Sequence, residues 1–163
     1  MADQRLDPHA LSRKIRIAFP DDGVSAVADL LEADCPNTCE AIWRLLPLRV
    51  KAIHDIWSGH QVLAHLDNTF VLPPENVLTY LPVPGDIFYY YRPRNYVRGA
   101  PYGRSESAEI GILYDRDSRP QGPRGPEAVN LFANISSSLE GFARACEGMI
   151  YRGQKTLLIE KME

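Results

Sequence analysis

The residues best suited to recognition chemistry crowd into one stretch: Tyr89, Tyr90, Tyr91, Arg92, Arg94, Tyr96, Arg98, Tyr102 and Arg104. Tyrosines offer rigid contact area with a hydroxyl at the tip. Arginines offer forked donors that match a carboxylate or phosphate. The combination predicts a small acidic organic substrate, held by Tyr90, Arg92, Arg94 and Arg98. Single-stranded nucleic acid uses the same residue types for stacking and backbone contacts. A net charge of −3 and a pI near 5.8 argue against that partner, and against an anionic membrane. Tyr and Arg also concentrate at protein interfaces, so a homo-oligomer contact is the alternative use of this stretch.

Acid–base chemistry has a short set of candidates. His54, His60 and His65 fall on one hairpin-like segment, and His54 and Trp57 flank Ser58-Gly59. Histidine is the usual general base near neutral pH, which makes His54 the expected acid or base. Its expected carboxylate partner is Glu75 or Glu109. Asn76 is the expected donor to a developing oxyanion, and Trp57 and Tyr90 are the expected pocket walls. Asp86 follows Pro84-Gly85 and reads as a turn brace.

Cys35 and Cys39 are spaced C-x₃-C without a second ligand pair, so no zinc site is expected. Cys35 precedes Pro36 at a helix start, a position that can lower a thiol's pKa. The sequence lacks the phosphate-loop, dinucleotide, nucleophile-elbow and H-E-x-x-H patterns, and no metal or organic cofactor is expected.

The elements that must position these groups are mostly strands. With 163 residues, 45% of them hydrophobic, the chain can build one real core. Residues 1–13 read as a flexible N-terminal arm and 14–163 as a single domain. K-I-R-I-A-F at 14–19 alternates as a strand, Pro20–Gly23 turns, and 24–31 forms a second strand. Pro36 suits the first helical position. Cys39, Ile42, Trp43 and Leu46 then share one face, until Pro47 stops the helix.

Strand-like runs at 50–57 and 60–66 form a hairpin around Ser58-Gly59, with a further short strand at 69–72. Strands at 87–91, 110–114, 128–135 and 156–159 complete the set. Residues 92–107 and 115–127 are long loops rich in Arg, Pro and Gly. A second helix is predicted from Ser137, capped by the S-x-x-E pair Ser137 and Glu140 and ended at Gly153. Strands arriving as hairpins favour a mainly β fold, a closed antiparallel barrel of about eight strands with two helices over its ends.

Several motifs resemble one family. Cys35-Pro36-Asn37-Thr38 leads into a helix ending Leu46-Pro47. Lys51-Ala52-Ile53-His54-Asp55-Ile56-Trp57-Ser58-Gly59 follows, then Glu75-Asn76, Pro82-Val83-Pro84-Gly85-Asp86-Ile87 and Asn130-Leu131-Phe132-Ala133-Asn134-Ile135. In order and spacing these resemble DUF3830, a family of small bacterial cyclophilin-like proteins of unknown function. The resemblance implies a cyclophilin-like barrel and a context of cyclic-amide and nitrogen catabolism. It places weight on His54, Trp57, Glu75 and Asn76.

Residues and resemblance together lead to an expected metal-independent hydrolase acting on an acidic cyclic amide or related nitrogen heterocycle. A non-catalytic ligand-binding module, or an accessory subunit of a catabolic enzyme, is the alternative. Prolyl isomerisation is a third reading that rests on fold alone. The polar N-terminus has no signal-peptide core and the sparse cysteines form no disulfide framework, so a cytoplasmic location is expected.

Overall fold

The computed structural model describes residues 12–68, 70–76, 81–96, 98–99, 105–122 and 124–163. Strands β1 (Lys14–Phe19) and β2 (Val24–Leu30) are joined by a 3-10 turn at Pro20–Asp22 and Gly23. Helix α1 (Pro36–Leu45) leads to β3 (Leu48–His54), β4 (Gln61–His65), β5 (Asp86–Arg92) and β6 (Ser107–Leu113). The two-residue strands β7 (Gln121–Gly122) and β8 (Gly125–Pro126) form a small separate hairpin. Then come β9 (Asn130–Ser137), helices α2 (Leu139–Glu147) and α3 (Met149–Arg152), and β10 (Lys155–Met162).

Eight strands close into a barrel in the order β1-β10-β3-β4-β6-β5-β9-β2, and every neighbouring pair is antiparallel. Closure removes the unpaired edges that a flat sheet would expose. Alternate residues fill the interior: Ile15 and Ile17, Ile87 and Tyr89, Ile110 and Ile112, Leu157 and Ile159. The alternation seen in the sequence therefore marks the inside of a barrel.

The connections give the barrel two distinct ends. Helix α1 joins the end of β2 to the start of β3, at the end that also holds His65, Arg92, Ser107 and Asn130. Helices α2 and α3 join the end of β9 to the start of β10, at the end that holds His54, Gln61, Asp86 and Leu113. Cys39 and Ile42 of α1, and Phe142, Cys146 and Met149 of α2 and α3, all enter the core. Phe142 stacks on Phe19 with ring centroids 4.8 Å apart.

A second, smaller core lies on the outer face of the barrel, where Phe88, Leu113 and Val129 pack together with Tyr90 and Leu131 partly buried beside them. β5 is thus covered on both faces. Gly111 makes this possible: a Cβ there would lie 2.0 Å from the Phe88 ring.

Several local expectations shift. β9 stays paired with β2 through Ser137, opposite Val27, so Ser137 cannot cap the second helix. The N-cap is Ser138, with φ of 64° and no side-chain cap bond, and the capping box with Glu140 does not form. The β3–β4 connection is a 3-10 turn at Ile56–Ser58, longer than a two-residue turn, and it takes Trp57 out of the strand. Phe70–Leu72 is not a strand, and Thr69 lies outside the described residues. The expected arm lies outside the described residues except for Ser12 and Arg13. Arg13 is anchored by Glu32 at 2.7 Å and Glu40 at 3.2 Å. Among the described residues no helix is long and apolar enough to cross a membrane.

Candidate functional site

The α1 end carries two polar clusters of different character. The first is built on Glu75. Its Oε1 accepts from the backbone N–H of Asn37 at 2.9 Å and from Asn37 Nδ2 at 3.0 Å. Its Oε2 accepts from the Thr38 N–H at 2.9 Å, Thr38 Oγ1 at 2.6 Å and Cys35 Sγ at 3.2 Å. Glu75 therefore caps α1 from a distant loop, meeting the free N–H groups and the positive end of the helix dipole. Burial raises the carboxyl's pKa, but the bonds from Thr38, Asn37 and Cys35 outweigh it and hold it below the ordinary carboxylate value. Cys35 is fully buried in the core and is not activated by its place at the helix start. Burial, with Glu75 close by, drives its thiol pKa well above normal.

Neighbouring residues extend this brace. Asn130 Oδ1 accepts from the Glu75 N–H at 2.9 Å, and its Nδ2 donates to Thr38 Oγ1 and the Pro73 carbonyl. Asn76, at φ 43°, mimics a strand partner. It donates to the Leu131 carbonyl at 2.8 Å and accepts from the Leu131 N–H at 2.9 Å. Both groups proposed to act on substrate, Glu75 as acid–base partner and Asn76 as oxyanion donor, are thus engaged in holding the 70–76 loop against α1 and β9.

The second cluster is a pocket of about 290 Å³ lined by Leu72, Pro74, Tyr89, Tyr90, Tyr91, Tyr96, Arg124, Glu127, Ala128 and Asn130. Tyr89 donates its hydroxyl to the Phe70 carbonyl at 2.6 Å and stacks on Phe70, which fixes one wall. Tyr96 donates to Glu127 Oε2 at 2.9 Å and accepts from Arg124, whose guanidinium lies 4.1 Å over the Tyr96 ring. Two buried atoms of the pocket's lining residues, Tyr90 Oη and Glu127 Oε1, have no hydrogen-bond partner among the described residues; nor does Nε of Arg92, two residues along β5 from Tyr90 and outside the lining. Burial raises the Tyr90 pKa far above normal, reinforced by Glu127, Tyr96 and Glu109 and opposed by Arg92. Tyr90 is a neutral hydroxyl at any ordinary pH.

Glu109 lies opposite Tyr90 in the sheet register, and His65 lies opposite Glu109. The Glu109 side chain is only 14% exposed, and it faces His65 Nδ1 at 3.4 Å and Ser107 Oγ at 3.0 Å. Arg94 and Arg98 are exposed beyond β5, while Tyr102 and Arg104 lie outside the described residues.

His54 and Trp57 sit at the other end. The His54 side chain points into the barrel mouth, where Nε2 meets the Tyr114 hydroxyl at 2.7 Å. Burial lowers its pKa below the ordinary value, with nearby His60 adding to the shift and Asp55 and Glu147 opposing it. Its Nδ1 and the Gln61 Oε1 are also buried and unpartnered. Trp57 is 92% exposed at the rim of an open hollow of about 700 Å³ with Ile56, Leu81, Val83, Arg116 and Arg119. That hollow is larger than the tyrosine pocket, but neither His54 nor Gln61 lines it. The unpartnered polar atoms and the open space of this end do not coincide, whereas at the α1 end Tyr90 and Glu127 belong to both.

The expected convergence of His54 and Trp57 with Glu75, Asn76 and the arginine stretch therefore fails. The hairpin β3–β4 spans the barrel's length and puts its turn at the α2 end. Tyr90, Arg92 and Glu109 do come together.

A family model described as "Protein of unknown function (DUF3830)" matches residues 17–160. The chain belongs to the DUF3830 family. No curated protein matches its sequence. Among solved structures it is similar to McbB in complex with tryptophan, with a TM-score of 0.57 and 15% identity. That likeness covers 90% of this chain and 44% of the other, so the DUF3830 chain spans less than half of that protein's length. It is also similar to a hypothetical protein from Archaeoglobus fulgidus solved in solution, with a TM-score of 0.55 and 19% identity, covering 93% of this chain and 96% of the other. These likenesses establish the barrel fold.

Three residues of the DUF3830 pocket escaped the sequence reading: Tyr96 as a binder, Arg124 and Glu127. The last two belong to a loop without hydrophobic period. The one usable signal was Glu127 itself, the only acid between Ser118 and the start of β9.

Proposed function

We propose that this protein is a small-molecule-binding barrel that takes a small organic acid in the tyrosine pocket. One observation carries the reading: Tyr90 Oη and Glu127 Oε1, on two residues that line a single cavity, are buried without partners. A buried polar group left unpaired costs about 1–3 kcal/mol. Native folds retain few of them, and retain them where a ligand or ordered water completes the bonding. The Arg124 guanidinium in the pocket wall, with Arg92 further along β5, favours an anionic group on that ligand. The stacked tyrosine walls favour a flat body. The buried free thiols of Cys35, Cys39 and Cys146 suit a reducing, cytoplasmic setting.

The test is calorimetric titration with a panel of aliphatic and aromatic carboxylic acids. Saturable binding is expected, weakened about tenfold by Tyr90→Phe, since one hydrogen bond is lost. Binding unchanged by His54→Gln and Trp57→Ala places the ligand at the α1 end. Absence of saturable heat from every acid overturns the reading.

A catalytic version keeps the same pocket, and the His65–Glu109 pair beside Tyr90 favours it. Glu109 is then the base for opening an acidic cyclic amide, in place of a His54–Glu75 pair split between the two ends. Product formation lost in Glu109→Gln distinguishes it from simple binding.

A further inference from the structure

We infer that the ligand also carries an N–H donor, an amide or a protonated amine, and that Glu127 seated against Gly122 reads it; this rests on the tyrosine pocket being the binding site. Glu127 is only 8% exposed, yet its carboxylate is half satisfied. Oε2 accepts from Tyr96 at 2.9 Å, and Oε1 has no partner among the described residues. An ionised carboxylate is acceptor-only, so Oε1 can be completed only by a donor. Arg124 is close, but it binds Tyr96 and leaves Oε1 free. Oε1 itself is packed against Gly122, but Glu127 lines the cavity, so a small turn of its side chain presents Oε1 to a donor on the ligand.

Gly122 supplies the seat. A Cβ at this position would lie 2.5 Å from both Glu127 Cγ and Oε1. The absence of a side chain at Gly122 is what lets the carboxylate lie against β7. The arginines and Glu127 then divide the recognition. Guanidiniums take the acid group, Glu127 takes the N–H, and the Tyr90 hydroxyl is free to donate to a carbonyl beside it. An amide that also bears a carboxylate presents all three groups.

The experiment uses matched pairs that differ in one atom group. Pyroglutamate is compared with its lactone isostere, and an oxindole carboxylate with the corresponding benzofuranone carboxylate. Each is titrated calorimetrically into the full chain and into Glu127→Leu and Gly122→Ala, with circular dichroism confirming the fold. The wild type is expected to prefer each lactam over its lactone at least about tenfold, the scale of one charge-assisted hydrogen bond. In both variants the lactam-to-lactone ratio is expected to fall to near one.

Equal binding of lactam and lactone by the wild type overturns the inference and leaves the acid-binding reading standing. So does binding of plain carboxylic acids with no affinity for either lactam. A preference that survives Glu127→Leu also overturns it, because another group would then be reading the N–H. If no acid of any kind binds, both the inference and the pocket assignment fall.

Discussion

Two carboxylates at the same end of the barrel have opposite surroundings. Glu75 receives five donors, from Asn37, Thr38 and Cys35, and a sixth bond fixes its own backbone to Asn130. Glu127 is more deeply buried and receives one, from Tyr96. A carboxylate with all its lone pairs taken has no capacity left for a substrate, while its loss frees the donors around it. A buried carboxylate with a free oxygen contributes little to folding and is available to a ligand. Saturation of hydrogen bonding, more than residue type or position in a cleft, therefore separates the brace from the site.

The largest test of that contrast is Glu75→Ala. Removing the acceptor leaves the α1 N-terminus and Thr38 without it, at an expected cost of about 3 kcal/mol. For a chain of this size that lowers the thermal midpoint by roughly 5–10 °C, measured by calorimetric or circular-dichroism melting. A loss confined to ligand binding, with the midpoint unchanged, would break the contrast.

The same distinction recurs at two glycines. Gly111 faces the buried ring of Phe88, and a Cβ there has no free volume to enter. Gly111→Ala is expected to cost about 2 kcal/mol in urea unfolding through overpacking. Gly122 instead faces the end of the Glu127 side chain, which can swing into the pocket. Gly122→Ala is expected to fall below about 1 kcal/mol and to act on binding.

Titration separates the two ends of the barrel. His54 has its pKa lowered from an ordinary 6.5, so the unfolded chain takes up the proton first. Its contribution is complete above pH 6.5 and is lost as pH falls towards the folded pKa. Glu75 has its pKa lowered from an ordinary 4.5, so its contribution is lost further down, as pH falls from 4.5 through the folded value. Urea midpoints between pH 7 and pH 3 should show two declines. His54→Gln should remove the upper one and Glu75→Gln the lower.

Glu127→Gln is expected to change unfolding free energy by less than about 1 kcal/mol, because only the bond from Tyr96 depends on the carboxylate. A loss as large as that of Glu75→Ala would make Glu127 a second brace and empty the contrast of meaning.

Much of the barrel was legible because its signals are local. Alternation at Lys14–Phe19 and the helix opening at Pro36 follow from neighbouring residues, and both elements form where the pattern puts them. The end of β9 was not legible, because Ser137 is claimed by pairing with Val27, far away in the chain. The site was legible in part. Tyr90 and Arg92 stand out by residue type, but the use of Glu75 depends on Asn37 and Thr38, and that of Glu127 on Tyr96 and Gly122. Contacts across such separations leave no trace in spacing. The hairpin carrying His54 read correctly as a hairpin, but nothing local says at which end of a closed barrel its turn emerges.

The smallest expected effect belongs to Trp57. At 92% exposure it contributes almost no burial, and Trp57→Ala should change stability by no more than about 0.5 kcal/mol. The other tryptophan, Trp43, has the Arg13 guanidinium 4.6 Å and the Lys161 ammonium 5.0 Å from its ring. The fluorescence change on unfolding should therefore come from Trp43 and persist in Trp57→Ala, while Trp43→Phe should abolish most of it. Acid binding should also survive the loss of Trp57, since its hollow shares no residue with the tyrosine pocket. Weakened binding in Trp57→Ala, with stability intact, would move the ligand to the α2 end. The open hollow would then hold the site, and the unsatisfied Glu127 would have to be explained by bound water.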